Sequence, residues 1–183
     1  MSGFIGTKLT MNLGERSYDI ILKNGALENL YQFARLDRRV AVVTDAGVPA
    51  EYAQRVADQC RDAKIITVPQ GEASKSMKIL ESVLRQMLEF NMGRGDLVIA
   101  VGGGAIMDLC KLLGCKRPDT VHNLYFKRFP VVHEKDVIAI PTTCGTGSEC
   151  TNISVAIVKD EKDGVLTGGE TKLGLVSDDI IPN

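Results

Sequence analysis

The stretch Asp96-Leu97-Val98-Ile99-Ala100-Val101-Gly102-Gly103-Gly104-Ala105-Ile106-Met107-Asp108 decides the fold of this chain. Five consecutive apolar residues, rich in β-branched side chains, read as a strand buried on both faces. Three glycines follow at once, and the pattern from Ala105 to residue 113 is helical. A strand that opens into a helix through glycine can bring its backbone close to a bound group. The helix then offers unpaired N–H groups and the positive end of its dipole, which suit a pyrophosphate. Met107 stands where a Gly-x-Gly-x-x-Gly fingerprint would carry its third glycine, so the stretch also fits a plain strand–helix turn.

Outward from this centre the same alternation repeats. Arg39-Val40-Ala41-Val42-Val43-Thr44 and Ile65-Ile66-Thr67-Val68 are short β-branched runs, and Val137-Ile138-Ala139-Ile140 is a strand stopped by Pro141. Helices are expected over residues 26–36, from Pro49 to about residue 62, and from an N-cap at Ser74 to about residue 91. The last carries Met77, Leu80, Val83, Leu84, Met87 and Leu88 on one face. Residues 115–135 look polar and irregular. Two half-buried strands are expected near the start, over residues 9–13 and 18–22. A further strand over residues 154–158 leads into a hairpin over residues 159–166. Strands separated by helices imply right-handed crossovers and a parallel sheet. The fold class is therefore α/β, a Rossmann-like parallel sheet with helices on both faces and a small antiparallel hairpin. Residues 1–183 read as one dinucleotide-binding domain. Ligands of such sheets lie outside the carboxyl ends of the strands.

Composition narrows the function. Of 183 residues, 44% are hydrophobic and 25% charged, and 22 Lys and Arg against 23 Asp and Glu give a formal charge of −1. That balance argues against a nucleic-acid partner and against a polybasic membrane patch. The first residues lack the pattern of a signal peptide, so the expected location is cytoplasmic. A homodimer stays open. The five cysteines, Cys60, Cys110, Cys115, Cys144 and Cys150, show no Cys-x-x-Cys spacing and read as reduced packing residues. His122 and His133 are the only histidines, expected in an exposed loop and without a metal-ligand spacing. No metal site and no catalytic residue is assigned.

Three other segments fall at strand ends. Asp45 follows the first buried run, where a carboxylate can accept hydrogen bonds from a ribose diol and repel a 2′-phosphate. A turn or N-cap aspartate is the alternative. Gln70-Gly71-Glu72-Ala73-Ser74-Lys75-Ser76 follows the next run, with Lys75 alternatively a solvated helix charge. Pro141-Thr142-Thr143-Cys144-Gly145-Thr146-Gly147-Ser148-Glu149 supplies hydroxyls and free amides that can hold phosphate, ribose or amide oxygens. The alternative is a loop whose hydroxyls bond only to their own backbone.

Gly102-Gly103-Gly104 with Asp108, followed by Pro141-Thr142-Thr143-x-Gly145-Thr146-Gly147-Ser148-Glu149, resembles the paired signatures of iron-containing alcohol dehydrogenases. Residues 143–154 are similar to the 4-hydroxybutyrate dehydrogenase branch. Leu13-Gly14-Glu15-Arg16-Ser17-Tyr18 and Gly71-Glu72-x-x-Lys75-Ser76 resemble 3-dehydroquinate synthases of the same superfamily. The Leu-Leu-rich segment and Gly-Gly-Lys-Thr of those synthases are replaced here by Cys144-Gly145-Thr146-Gly147, which favours the dehydrogenase.

The resemblance implies cofactor contacts at matching positions. Asp45 would face the adenosine ribose, with Gln70, Gly71, Glu72 and Lys75 in the same cofactor-binding set. Gly103, Gly104, Ala105, Ile106 and Asp108 would line the pyrophosphate and the nearby cofactor. Thr142, Thr143, Gly145, Thr146, Ser148 and Thr151 would contact the nicotinamide half, and Lys172 would be a cofactor-side lysine. The implied cofactor is NAD, ahead of NADP, with an alcohol, aldehyde or hydroxy acid as the small-molecule substrate. The resemblance places a divalent Fe or Zn ion on an Asp and histidines of a helical carboxyl-terminal domain, a set not found in these 183 residues. The chain by itself is thus expected to be catalytically incomplete. A dehydroquinate synthase domain and a non-catalytic nucleotide-binding module are the competing readings.

Overall fold

Two short segments make the first hairpin, but only the second has the buried positions expected of both: residues 7–11 are exposed throughout, Leu9 and Met11 included. The computed structural model describes residues 6–12, 14, 17–116, 121–126, 128–162 and 165–176. Strand β1 (Thr7–Met11) pairs antiparallel with β2 (Tyr18–Leu22), Thr7 opposite Leu22 and Met11 opposite Tyr18. Leu13, expected to end the first strand, lies outside the described residues, as do Glu15 and Arg16. Tyr18 is buried, and its hydroxyl donates to the Cys150 carbonyl at 3.3 Å.

The apolar runs form the expected parallel sheet. Strands β3 (Arg39–Asp45), β4 (Asp62–Val68), β5 (Leu97–Gly102) and β6 (Asp136–Pro141) lie in the order β4-β3-β5-β6. The central pair is closed to solvent from Val40 to Val43 and from Leu97 to Val101. Alternate side chains point to opposite layers, because successive Cβ atoms of a strand alternate faces. Ala41, Val43, Val98 and Ala100 pack in one core with helices α2 (Met77–Glu89) and α3 (Gly104–Leu113). Val40, Val42, Leu97, Ile99 and Val101 pack in a second core with Ala53 and Val56 of α1 (Ala50–Ala57). Helices therefore cover both faces. From β3 the chain goes outward to β4, then returns past β3 to β5 and continues to β6. The carboxyl ends of β3 and β5 border the point where the winding reverses, which is where open α/β sheets place a cleft.

Several local expectations are corrected. Residues 26–36 form only a 3₁₀ segment, Leu27–Gln32, interrupted at Asn29 (φ −133°, ψ 38°). The Asn29 amide donates to the Gly25 carbonyl at 2.8 Å, a local bond of the kind that competes with helix. Helix α1 ends at Ala57, and β4 begins earlier than expected because Asp62 already pairs with Arg39. Ser76, not Ser74, caps α2, accepting from the Ile79 N–H at 3.4 Å. Ser74 is buried in a 3₁₀ turn and donates to the Pro69 carbonyl. Residues 115–135 are not uniformly irregular: a short helix α4 (Val121–Tyr125) forms, with Leu124 and Tyr125 buried. His122 therefore belongs to a helix. His133 is half-buried in an isolated bridge with Cys115, not in an exposed loop. Strand β6 runs through Pro141, which an edge strand tolerates.

The closing hairpin is longer than the sequence suggests. Strands β7 (Ile153–Lys162) and β8 (Val165–Val176) pair antiparallel from Ile153–Val176 to Lys162–Val165, with a register shift between Lys159 and Glu161. Residues 163 and 164 lie outside the described residues. Ala156, Val158 and Leu175 join the α2–α3 core. Among the described residues no helix is long and apolar enough to cross a membrane.

The two layers carry the stability. Ile99→Ala, at a site with no exposed surface, is expected to cost about 2–5 kcal/mol in urea unfolding. Leu88, expected on the apolar face of α2, is instead 69% exposed, so Leu88→Ala should change stability by no more than about 0.5 kcal/mol.

Candidate functional site

Strand β5 delivers the three glycines to the carboxyl edge of the sheet. A Cβ on Gly103 would sit 3.2 Å from the Thr143 hydroxyl oxygen, so the β6–β7 loop approaches the glycine backbone closely. Gly104 faces Thr146 and Ser148 at 3.7 and 3.8 Å on the same test. Helix geometry leaves the first amides of α3 without intrahelical acceptors. Ile106 and Met107 both donate to the Gly103 carbonyl, at 3.0 and 3.1 Å. The amides of Gly104 and Ala105 stand ahead of that turn. The Ile106 side chain is fully buried against Gly102, which puts it in the core and not on a cleft wall.

The loop from β6 is held at its two ends. The Thr142 N–H donates to the Gly102 carbonyl at 2.9 Å. Residues 142–146 are exposed, and Gly145 and Gly147 take the left-handed conformation at φ 80° and 62°, where a side chain would be strained. Ser148 is buried in the 3₁₀ turn that follows. Cys144, expected to be a small packing residue, is exposed, as is Cys150, whereas Cys110 and Cys115 are buried as expected.

Beneath this loop lies an ionic network, buried at Asp108, Lys75 and Lys111 and exposed at Glu72 and Lys172. Asp108 on α3 is its centre. One carboxylate oxygen, Oδ1, accepts from the Ser148 hydroxyl at 2.7 Å and lies 3.6 Å from Lys111 Nζ. The other, Oδ2, pairs with Lys75 Nζ at 2.9 Å. Lys75 also pairs with Glu72 at 3.1 Å, and Glu72 with Lys172 of β8. The backbone supports the same arrangement: the Ser154 hydroxyl donates to the Asp108 carbonyl at 2.8 Å, and the Ile157 N–H to the Lys75 carbonyl at 2.6 Å.

Electrostatics follow from this packing. Burial alone would push the Lys75 ammonium down, but Asp108, and then Glu72, outweigh it and hold it above the ordinary lysine value. For Lys111 burial dominates and lowers the value despite Asp108. The hydrogen bond from Lys172, more than that from Lys75, holds Glu72 below the usual carboxylate range.

The residues singled out from the sequence thus fall into two groups. Glu72, Lys75, Asp108, Ser148 and Lys172 are joined by side-chain contacts, with Thr143 and Thr146 over Gly103 and Gly104. Thr151 joins through Lys111, whose ammonium donates to its hydroxyl at 3.0 Å. Asp45 and Gln70 form a separate corner at the ends of β3 and β4. There Asp45 Oδ1 accepts from the Gly47 N–H at 2.8 Å, as a turn aspartate does, and the Gln70 side chain fills the space a Cβ on Gly47 would need. Gly71 opens the following turn at φ 83°.

Lys111 is the site residue that the sequence reading passed over. The signal was present: α3 is apolar on every side, so its only charged positions, Asp108 and Lys111, had to be buried together. The described residues contain no group of three or more His, Cys, Asp or Glu side chains able to hold a metal ion. Asp108→Ala is expected to cost about 3–5 kcal/mol by chemical denaturation, because it removes the carboxylate that two buried ammonium groups share. Asp37→Ala, which breaks only the exposed pair with Arg35, should cost less than about 1 kcal/mol.

The chain is 37% identical to a 4-hydroxybutyrate dehydrogenase of Clostridium kluyveri over 110 residues, covering 60% of this chain and 26% of that protein. It is 38% identical to a 3-dehydroquinate synthase of Caulobacter vibrioides over 107 residues, covering 54% of this chain and 29% of that protein. Among solved structures, the sulfoacetaldehyde reductase of Bifidobacterium kashiwanohense in complex with NAD+ superposes with a TM-score of 0.65. That match is 23% identical and covers 87% of this chain and 41% of the reductase, so it speaks for the fold. The chain spans between a quarter and under half the length of these proteins. The model of one family, iron-containing alcohol dehydrogenase, matches residues 17–183. Its glycine turn, its hydroxyl-rich loop and this match together show that the chain belongs to the iron-containing alcohol dehydrogenase family.

Proposed function

We propose that this chain binds NAD(H) across the carboxyl edge of its parallel sheet and serves an oxidoreductase acting on an alcohol or hydroxy acid, with 4-hydroxybutyrate the favoured substrate. The observation that carries the reading is the close approach of the Thr143 hydroxyl to Gly103 at the start of α3. The notch proposed for the cofactor lies beside that contact, between the first amides of α3 and the hydroxyls of the β6–β7 loop.

In this reading the Gly104 and Ala105 amides and the positive end of α3 take the pyrophosphate. The Thr142, Thr143 and Thr146 hydroxyls orient the nicotinamide half, while Ser148 and Thr151, tied to Asp108 and Lys111, fix the loop that carries them. Asp45 presents its carboxylate to the adenosine ribose from the end of β3. The turn bond to Gly47 fixes the orientation of that carboxylate. NAD, when bound, supplies the hydride-accepting chemistry. A metal that polarises the alcohol oxygen would need ligands other than the described residues.

A second reading, the nucleotide-binding part of a 3-dehydroquinate synthase, is favoured by Gly71-Glu72-x-x-Lys75-Ser76 and by the 38% identity to the Caulobacter vibrioides enzyme. Both readings share the cofactor and differ in the reaction. The test that bears on both is calorimetry with millimolar NADH and NADPH. Wild type is expected to bind NADH and to prefer it to NADPH. Asp45→Ala is expected to shrink that preference about tenfold, for a repulsion worth ~1–3 kcal/mol. No heat with either cofactor would sink the proposal. An unchanged ratio in Asp45→Ala would reduce Asp45 to a turn residue.

A further inference from the structure

A lysine side chain with no exposed surface is a demanding feature, because every ammonium proton then needs an acceptor inside the protein. Besides the ion pair with Asp108 at 3.6 Å, Lys111 meets that demand with three hydrogen bonds. It donates to the Ile153 carbonyl at 2.8 Å, to the Thr151 hydroxyl at 3.0 Å and to the Ser148 hydroxyl at 3.4 Å. All three acceptors belong to residues 148–153, where the hydroxyl-rich loop turns into β7. The carboxylate beside it, Asp108, already has Lys75 as a full partner at 2.9 Å, so neutralising Asp108 does not by itself call for a second cation.

The exposed residues 142–146 hang between two fixed points. One is the Thr142–Gly102 backbone bond, and the other is the segment held by Lys111. Gly145 and Gly147, both left-handed, lie just before the second point, where the chain has most freedom to shift if its anchor is lost. We propose that Lys111 is a positioning residue for cofactor binding. By gripping residues 148–153 it sets where Thr143 and Thr146 stand over the start of α3, and so how tightly the notch closes on a nicotinamide dinucleotide. This role rests on the NAD(H) reading given above.

A residue that only fills the core would act through global stability. A positioning residue acts on the loop and on affinity while the sheet stays intact. The experiment combines NADH titration with amide hydrogen exchange on the whole chain, folding being checked by circular dichroism. Lys111→Met keeps the apolar stem and removes the donors. It is expected to weaken NADH binding by at least about tenfold. Exchange should quicken in residues 145–153 and stay unchanged in β3 and β5. Lys111→Gln, with two neutral N–H donors, should recover part of the affinity, and it decides the matter if Lys111→Met does not fold. Leu112→Ala, which thins the core face of the same helix without touching the loop, should lower stability and leave the dissociation constant unchanged. Wild-type binding with an unaltered constant in Lys111→Met, or an equal loss in Leu112→Ala, overturns the role of Lys111 alone. No binding by wild type overturns the NAD(H) reading, and the role of Lys111 with it.

Discussion

A carboxylate held inside the protein between two ammonium groups is the constraint on which the rest of this structure turns. Asp108 is 7% exposed in its side chain, Lys75 9% and Lys111 not at all. Charges so placed are tolerated only when each finds partners, and those partners come from three of the elements that end at the same edge of the sheet. Lys75 comes from the turn after β4, Asp108 and Lys111 from the helix after β5, and Ser148 from the loop after β6. Satisfying one buried group therefore fixes the relative position of three loops, two from crossovers of the parallel sheet and one from the connection into the β7–β8 hairpin.

The sheet supplies the frame for that convergence. Parallel strands place their connections to the following helices at one edge, and the winding reverses there between β3 and β5, where open α/β sheets bind their ligands. The long hairpin β7–β8 closes the far side. It packs Ala156, Val158 and Leu175 into the α2–α3 core and carries Lys172 to Glu72. The same contacts that stabilise the layer thus bring a β8 cation to Glu72, in the turn after β4.

Much of this was legible in the sequence, for physical reasons that can be named. Strands β3 and β5 have no polar face, so their apolar runs could only be central. The glycines between β5 and α3, and the hydroxyl-rich stretch after Pro141, announced themselves by composition and by their place after strands. What escaped the reading depends on tertiary contacts. Ser74 and Ser76 are both plausible caps by type, and only the burial of Ser74 in the turn before α2 assigns the cap to Ser76. The segment around Asn29 has helical periodicity, but a side-chain bond to Gly25 breaks it. Helix α4 is too short for periodicity to reveal, and it forms where Leu124 and Tyr125 find the core. Lys111, three residues after Asp108, resembles a solvated helix pair until the apolar surroundings of α3 are counted.

The central claim is that a nicotinamide dinucleotide sits in the notch between the start of α3 and the β6–β7 loop. Two-dimensional amide NMR of the isotopically labelled chain during NADH addition tests it most directly. The largest shifts should fall on Gly103, Gly104, Ala105, Thr143 and Thr146, with a second set at Asp45 and Gly47. Shifts confined instead to the opposite end of the sheet, around Leu88, Arg94 and Lys116, would contradict the claim.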